Sequence, residues 1–220
     1  MIPLRVLIAC ERFGVVRDEF LARGHDAWSL DLAPCATGSN RHIRGDVRDH
    51  LNDGWDLLMV AHPPCTRLCN SGVRWLTNPP KNKTLPEMWA DLAEGAALFS
   101  ACWNAPIPRI AVENPVMHKH AKALITSYEP PAQTVQPWHF GDPAFKATSL
   151  YLRDLPPLRP TNRLTPPKAG TEAHKAWSMI HRMPPGPDRA MARSKTFPSM
   201  AAAMADQWGA YAREQQRAAA

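Results

Sequence analysis

The chain has 220 residues, 45% of them hydrophobic, and carries a formal net charge of +6 from 26 basic against 20 acidic residues. That length suits one domain, or one domain with a small appendage, and no apolar run approaches the roughly 18 residues that a membrane span needs. The positive balance favours polyanionic partners without proving one, and five cysteines, an odd number, argue against a disulfide framework and for free thiols in a reducing compartment.

Met1 to Cys10 reads as a buried strand that starts at once, with no cleavable leader before it, so an intracellular location is expected. Val15 to Arg23 repeats its apolar positions at helical spacing, and Gly24 stops that helix. A second strand, Ala27 to Leu32, carries Asp31 near its end, and a third short segment surrounds His42 to Val47. Asp56 to Ala61 is apolar without alternation, the mark of a buried parallel strand, and runs directly into His62-Pro63-Pro64-Cys65.

Residues 66 to 83, rich in Asn, Pro, Lys and Ser, read as a mobile loop. Thr84-Leu85-Pro86-Glu87 then opens a helix that continues to about Trp103. Arg109 to Glu113 is the next strand, closed by Asn114-Pro115 because proline cannot continue a central ladder. Strand alternating with helix predicts an α/β fold with a doubly wound, mostly parallel sheet.

Proline crowds the second half, with 16 of 23 beyond residue 100. Gln133 to Phe140 and Ser149 to Leu152 read as strands, residues 153 to 190 as loop-rich, and Met200 to Tyr211 as a helix with a frayed, alanine-rich end. The expected organisation is a core over residues 1–152, a small segment over 153–190, and a C-terminal helix over 191–220 that returns to the core.

Two sites carry chemistry. Cys65 sits on a turn at the carboxyl end of a parallel strand, where open α/β folds build their sites, although an inert buried thiol fits the same residues. Glu113 also follows a buried strand, so strand geometry can bring its carboxyl group beside the thiol; as a lone residue it reads equally as a cap or a solvated carboxylate. Cys65 and Cys69 are spaced like half a zinc site, but no second Cys/His pair completes one, so no metal is expected.

A strand ending in Pro-Pro-Cys, followed about 50 residues later by a strand ending in Glu-Asn, resembles the catalytic core of the DNA cytosine-5 methyltransferases over roughly residues 5 to 150. The resemblance implies a Rossmann-like fold that uses S-adenosylmethionine and releases S-adenosylhomocysteine. It implies that Cys65 attacks C6 of a flipped-out cytosine and that Glu113 contacts N3 and the exocyclic amine, with Asn114 supporting the catalytic loop and Pro64 shaping the turn. Methyl transfer to C5 then follows. The segment Ile8-Ala9-Cys10-Glu11-Arg12-Phe13-Gly14 stands where the family has a glycine-rich turn, and of those glycines Gly14 is retained. Ala9, Cys10 and Gly14 are therefore expected beside the cofactor, with Asp31 at the ribose hydroxyls and Asp46, in Gly45-Asp46-Val47, at the adenine amine.

Lys146 and Thr148 stand in place of two arginines of the family's Gln-x-Arg-x-Arg motif, and with Arg67 they are the expected substrate contacts. Arg193 to Ser199 resembles the closing segment that returns the chain to the cofactor pocket. The partner implied is double-stranded DNA, read by residues 153–190 and the loop after Cys65. The chain is expected to act as a monomer in the cytoplasm of a bacterial host, with a phage-encoded origin suggested by its compactness. Two other readings keep the fold: a C5-pyrimidine modifying enzyme acting on RNA or a nucleotide, and a catalytically silent DNA-binding relative.

Overall fold

Residues Arg5–Ala9 (β1) are aliphatic on both faces, as a strand covered on both sides must be. After β1 come the helix Val15–Ala22 (α1) and the strands Asp26–Asp31 (β2), His42–Arg44 (β3) and Leu57–Val60 (β4). The long helix Leu85–Trp103 (α2) leads to Arg109–Glu113 (β5), Lys119–Leu124 (α3), Gln133–Val135 (β6) and Thr148–Arg153 (β7). Three short helices, Glu172–Trp177 (α4), Met179–Arg182 (α5) and Pro187–Arg193 (α6), precede Pro198–Ala219 (α7). The structure is a computed structural model that describes residues 3–184 and 186–219; Met1, Ile2, Pro185 and Ala220, which the expected strand, loop segment and C-terminal helix include, lie outside the described residues.

The sheet runs in the order β3-β2-β1-β4-β5-β7-β6. The first five strands pair in parallel, and β7 enters antiparallel between β5 and β6. The fold is thus α/β, Rossmann-like and doubly wound, as the alternation of strands and helices predicts. The strand order reverses between β1 and β4, and at such a switch point the loops at the carboxyl ends part to leave a crevice.

Alternate residues of each strand feed two cores. Leu7, Leu58, Val60, Ile110 and Val112 point towards α2, where Met88, Leu92, Phe99 and Trp103 cover them. Val6, Ile8, Leu57, Met59 and Ala111 point the other way, onto Phe20 of α1 and Met200, Met204 and Trp208 of α7. Trp208 is fully buried and its indole N–H donates to the Pro156 carbonyl oxygen at 2.9 Å, satisfying the one polar atom it takes inside. Trp208→Ala is expected to lower unfolding stability by about 3–5 kcal/mol, read as a lower denaturant midpoint.

Helix boundaries follow local chemistry. The Thr84 hydroxyl accepts from Glu87 N while the Glu87 carboxylate accepts from Thr84 N, a reciprocal cap that starts α2. Three boundaries differ from the sequence reading. The strand expected over 133–140 ends at Val135, because Pro137 opens a tight turn over Pro137–His139. The final helix begins at Pro198 and runs to Ala219, longer than expected at both ends. Residues 66–83 are not a featureless loop: Asn70–Leu76 forms a 3-10 turn, with Leu68, Cys69, Gly72 and Leu76 buried against the body of the protein.

Candidate active site

Parallel pairing sets Val60 of β4 beside Val112 of β5, so the chain leaves both strands at the same edge of the sheet. One exit carries His62-Pro63-Pro64-Cys65 and the other Glu113-Asn114-Pro115. Cys65 is half-buried and Glu113 is buried, near enough for the carboxylate to act on the thiol. Burial raises the Glu113 carboxyl to about 7, against the pull of Lys146 and Arg193, so it is a carboxylic acid for part of the time at neutral pH. A hydrogen bond with Cys69, then burial and Glu113, push the Cys65 thiol up.

The neighbours come from far along the chain. Lys146 Nζ donates to the Arg193 and Lys195 carbonyl oxygens at 2.7 and 3.0 Å, and burial lowers its pKa. His62 Nε2 lies 3.1 Å from the Thr196 hydroxyl, and burial holds that imidazole neutral. Residues 193–196 thus close over the edge that carries Cys65. Asn114 is fully buried, and neither its Oδ1 nor its Nδ2 meets a hydrogen-bond partner among the described residues. Pro64 is exposed on the turn and also borders the neighbouring cavity.

That cavity, of about 880 Å³, opens at the carboxyl ends of β1, β2 and β3. Cys10, Asp31, Leu32, Gly45, Asp46 and Val47 line one wall, and Asp91, Glu94 and Leu98 of α2 line the other. Asp31 Oδ1 accepts from Ala33 N at 2.9 Å. Leu32 beside it is 72% exposed, an apolar surface facing a cavity rather than a core. Asp46 is held by Arg48 through both carboxylate oxygens, with Arg48 also bound to Glu94 at 2.9 Å.

Several expected contacts are placed elsewhere. Arg67 pairs with Asp91 at 3.2 Å and lines this cavity, so it stands on the cofactor side of the site rather than over the base. Thr148 is buried and its hydroxyl donates to the Lys146 carbonyl oxygen at 3.2 Å, which corrects its expected contact with a base. Ala9 is fully buried within β1, leaving Cys10 as the residue of that pair at the cavity.

Gly14 adopts φ +70°, and a side chain there would collide with the Arg17 guanidinium, whose Nη2 lies 2.1 Å from where a Cβ would be. The turn after β1 is built by residues the motif comparison overlooks. The Glu11 carboxylate accepts from Val16 N and Arg17 N at 2.7 and 3.2 Å, capping α1 from within, and burial raises its pKa to about 7. Arg17 is buried and reaches Ser29 Oγ at 2.8 Å. The Asp46-x-Arg48 spacing was the visible signal for one overlooked group; nothing local marked Glu11.

No family model matches the sequence, and no curated protein matches it. Two solved structures are similar in chain path. One is described as a candidate DNA modification methyltransferase encoded within a prophage of E. coli, 16% identical, with a TM-score of 0.42 over 68% of this chain and 46% of that one. The other is the Entamoeba histolytica methyltransferase EhMeth, 12% identical, with a TM-score of 0.45 over 74% of this chain and 58% of that one. The chain therefore spans about half the length of each. Among the described residues no helix is long and apolar enough to cross a membrane.

Proposed function

We propose that this chain transfers a methyl group from S-adenosylmethionine to C5 of cytosine in DNA, with Cys65 as the nucleophile. The observation that carries the reading is the pairing of Cys65 with a buried Glu113 whose pKa is raised to about 7, on adjacent parallel strands. Cytosine C5 is a poor nucleophile until sulfur adds at C6, and a proton delivered to N3 drains the charge that this addition creates. A carboxyl group that still holds its proton near neutral pH is suited to that delivery. Asn114 supports the turn after β5, and Lys146 stands at the edge of the same site as the expected substrate contact.

The cavity fits the methyl donor in size and chemistry. Pockets for ligands of this class run to several hundred Å³. Asp31 has carboxylate capacity beyond its one bond to Ala33 N, suited to a ribose hydroxyl, and the exposed Leu32 offers a flat apolar contact to a purine. Asp91 and Glu94 suit a cationic sulfonium. Bound there, that group supplies an activated methyl carbon. Asp46 can take an adenine amine only in competition with Arg48, whereas Cys10 meets the cavity directly. The capped turn at Gly14 keeps the loop after β1 narrow.

DNA as the substrate is supported by the net charge of +6 and by cations exposed outside the sheet, among them Arg159, Arg163, Lys168, Lys175 and Arg182. They make residues 153–190 the candidate for contacts to the duplex, phosphates first and base edges second. Methylation sequencing of host DNA after expression tests the activity and reports its sequence context. Unmodified cytosines throughout, with purified protein also inactive on DNA, would remove the reading. Titration calorimetry with S-adenosylmethionine and S-adenosylhomocysteine tests the cavity separately. Asp31→Ala is expected to weaken both ligands by about 10- to 100-fold, the worth of a hydrogen bond to a charged group; unchanged affinity would move the ribose elsewhere.

A further inference from the structure

A single turn of backbone carries both Cys65 and Cys69. The amides of Leu68 and Cys69 each donate to the Cys65 carbonyl oxygen at 3.0 Å. Four-residue spacing on such a turn brings two side chains onto one face, and the two thiols are hydrogen-bonded to each other. The turn is clamped by the chain that leaves β5. Cys69 bridges to Met117, Asn70 N donates to the Val116 carbonyl oxygen at 3.1 Å, and His118 Nε2 lies 2.7 Å from the Arg67 carbonyl oxygen. Gly72 is required for the fit, because a Cβ there would lie 2.0 Å from the Thr66 carbonyl oxygen.

The two sulfurs have different surroundings. Cys69 is buried, with its sulfur 3.1 Å from the Ser71 hydroxyl and hydrogen bonds from the Ser71 and Gly72 amides. Cys65 is open to the site and faces Glu113 from β5, Lys146 from the chain before β7, and Arg193 from the end of α6. Lys146 is committed to two carbonyl oxygens, and His62 to Thr196. Among the described residues no basic side chain is hydrogen-bonded to the Cys65 sulfur, and a thiol is a weak nucleophile until it loses its proton.

We propose that Cys69 is the proton acceptor for Cys65. The proposal rests on Cys65 being the nucleophile of the methyl transfer. At rest the negative charge of the pair sits on Cys69. As the Cys65 sulfur bonds to C6 of the pyrimidine, its proton passes to Cys69 Sγ. The C5–C6 π pair shifts through the ring towards N3, where the Glu113 proton lands, leaving Glu113 as the carboxylate and Cys69 as a thiol. When the C6–S bond breaks at the end of the cycle, Cys65 departs with the electron pair and recovers the proton from Cys69. The electrostatics agree in direction: the bond from Cys65 holds Cys69 low, assisted by Ser71 and Gly72, while that same bond, burial and Glu113 hold Cys65 high.

The test is the pH dependence of Cys65 carbamidomethylation by iodoacetamide in the full chain, followed by peptide mass spectrometry, in wild type, Cys69→Ser and Ser71→Ala. Cys69→Ser keeps a hydrogen-bonding group but cannot hold the charge. Its Cys65 inflection is expected to move to higher pH, with the rate at pH 7 falling about tenfold or more. The methylation kcat should fall alongside at neutral pH and recover as pH rises, with KM for DNA and methyl donor unchanged. Ser71→Ala, at an exposed position, should fold normally and shift the inflection in the same direction by less. Coincident Cys65 profiles in all three proteins overturn the relay. If wild type does not methylate and the inflection still moves, the methyl-transfer reading falls while the thiol pair stands. If wild type methylates and all three proteins share one pH–rate profile, the relay falls and the reaction stands.

Discussion

Cys65→Ser is expected to lower methyl transfer to cytosine by about 10⁴-fold or more, because a serine hydroxyl is far less nucleophilic near neutral pH. The substitution removes the reacting atom while changing the turn little: Cys65 contributes its backbone carbonyl to Leu68 and Cys69, and serine keeps that carbonyl. Binding of DNA and of S-adenosylmethionine should therefore survive, which separates lost chemistry from lost structure. A duplex carrying 5-fluorocytosine gives the sharper readout. Fluorine at C5 cannot leave as a proton does, so the adduct stays bonded after methyl transfer and survives denaturing electrophoresis. The base must leave the stack to meet the thiol, so trapping also reports base flipping. A band of undiminished intensity in Cys65→Ser, mapping to Cys10, Cys35, Cys69 or Cys102, overturns the assignment.

Glu113→Gln is expected to slow trapping and turnover by about 10²- to 10⁴-fold, the range for removing a positioned proton donor. The same change should make the protein more stable above neutral pH. With a folded pKa of about 7 against an ordinary 4.5, Glu113 contributes fully to stability below pH 4.5, and that contribution is lost as pH rises through 7. Glutamine carries no charge to bury. Thermal unfolding should therefore show no gain for the variant at pH 4.5 and a clear gain at pH 8. Glu11, raised to about 7 as well, adds the same slope to wild type and persists in the variant, so the comparison isolates Glu113. Equal melting temperatures at pH 8 would mean that the carboxyl is not held in its protonated form by burial.

The parts of the molecule written in local pattern were legible. Arg109–Glu113 has the bounds that its apolar run and Asn114-Pro115 predict, and the Thr84–Glu87 signature starts α2 where it should. What failed depended on distant partners. Residues 66–83 look polar and loose in sequence, yet Leu68 and Leu76 are buried because the 116–118 segment and α2 lie across from them, far along the chain. Leu32 shows the opposite failure: the pattern assigns it to a strand interior, whereas the strand ends one residue earlier and the side chain meets the cavity. Thr148 was matched to a motif position although it belongs to β7, where alternate side chains turn inward. Motif spacing identified Cys65 and Glu113, but the Cys69, Thr196 and Lys146 contacts emerge only when the strands are paired.

The helix α7 has a consequence for how this chain comes off the ribosome. It alone supplies Met200, Met204 and Trp208 to the face of the sheet formed by Val6, Ile8 and Met59, and these partners are separated by most of the sequence. Until the last turns are synthesised that face stays open, while the α2 face can close as soon as β5 emerges. The nascent chain therefore carries a sticky half-covered sheet for most of its synthesis, the state from which aggregation starts. Residues 193–196, which close over Cys65, arrive only just before α7. The reactive edge is completed in the same final stage as the core, so a prematurely terminated chain retains the thiol without the surroundings that restrain it.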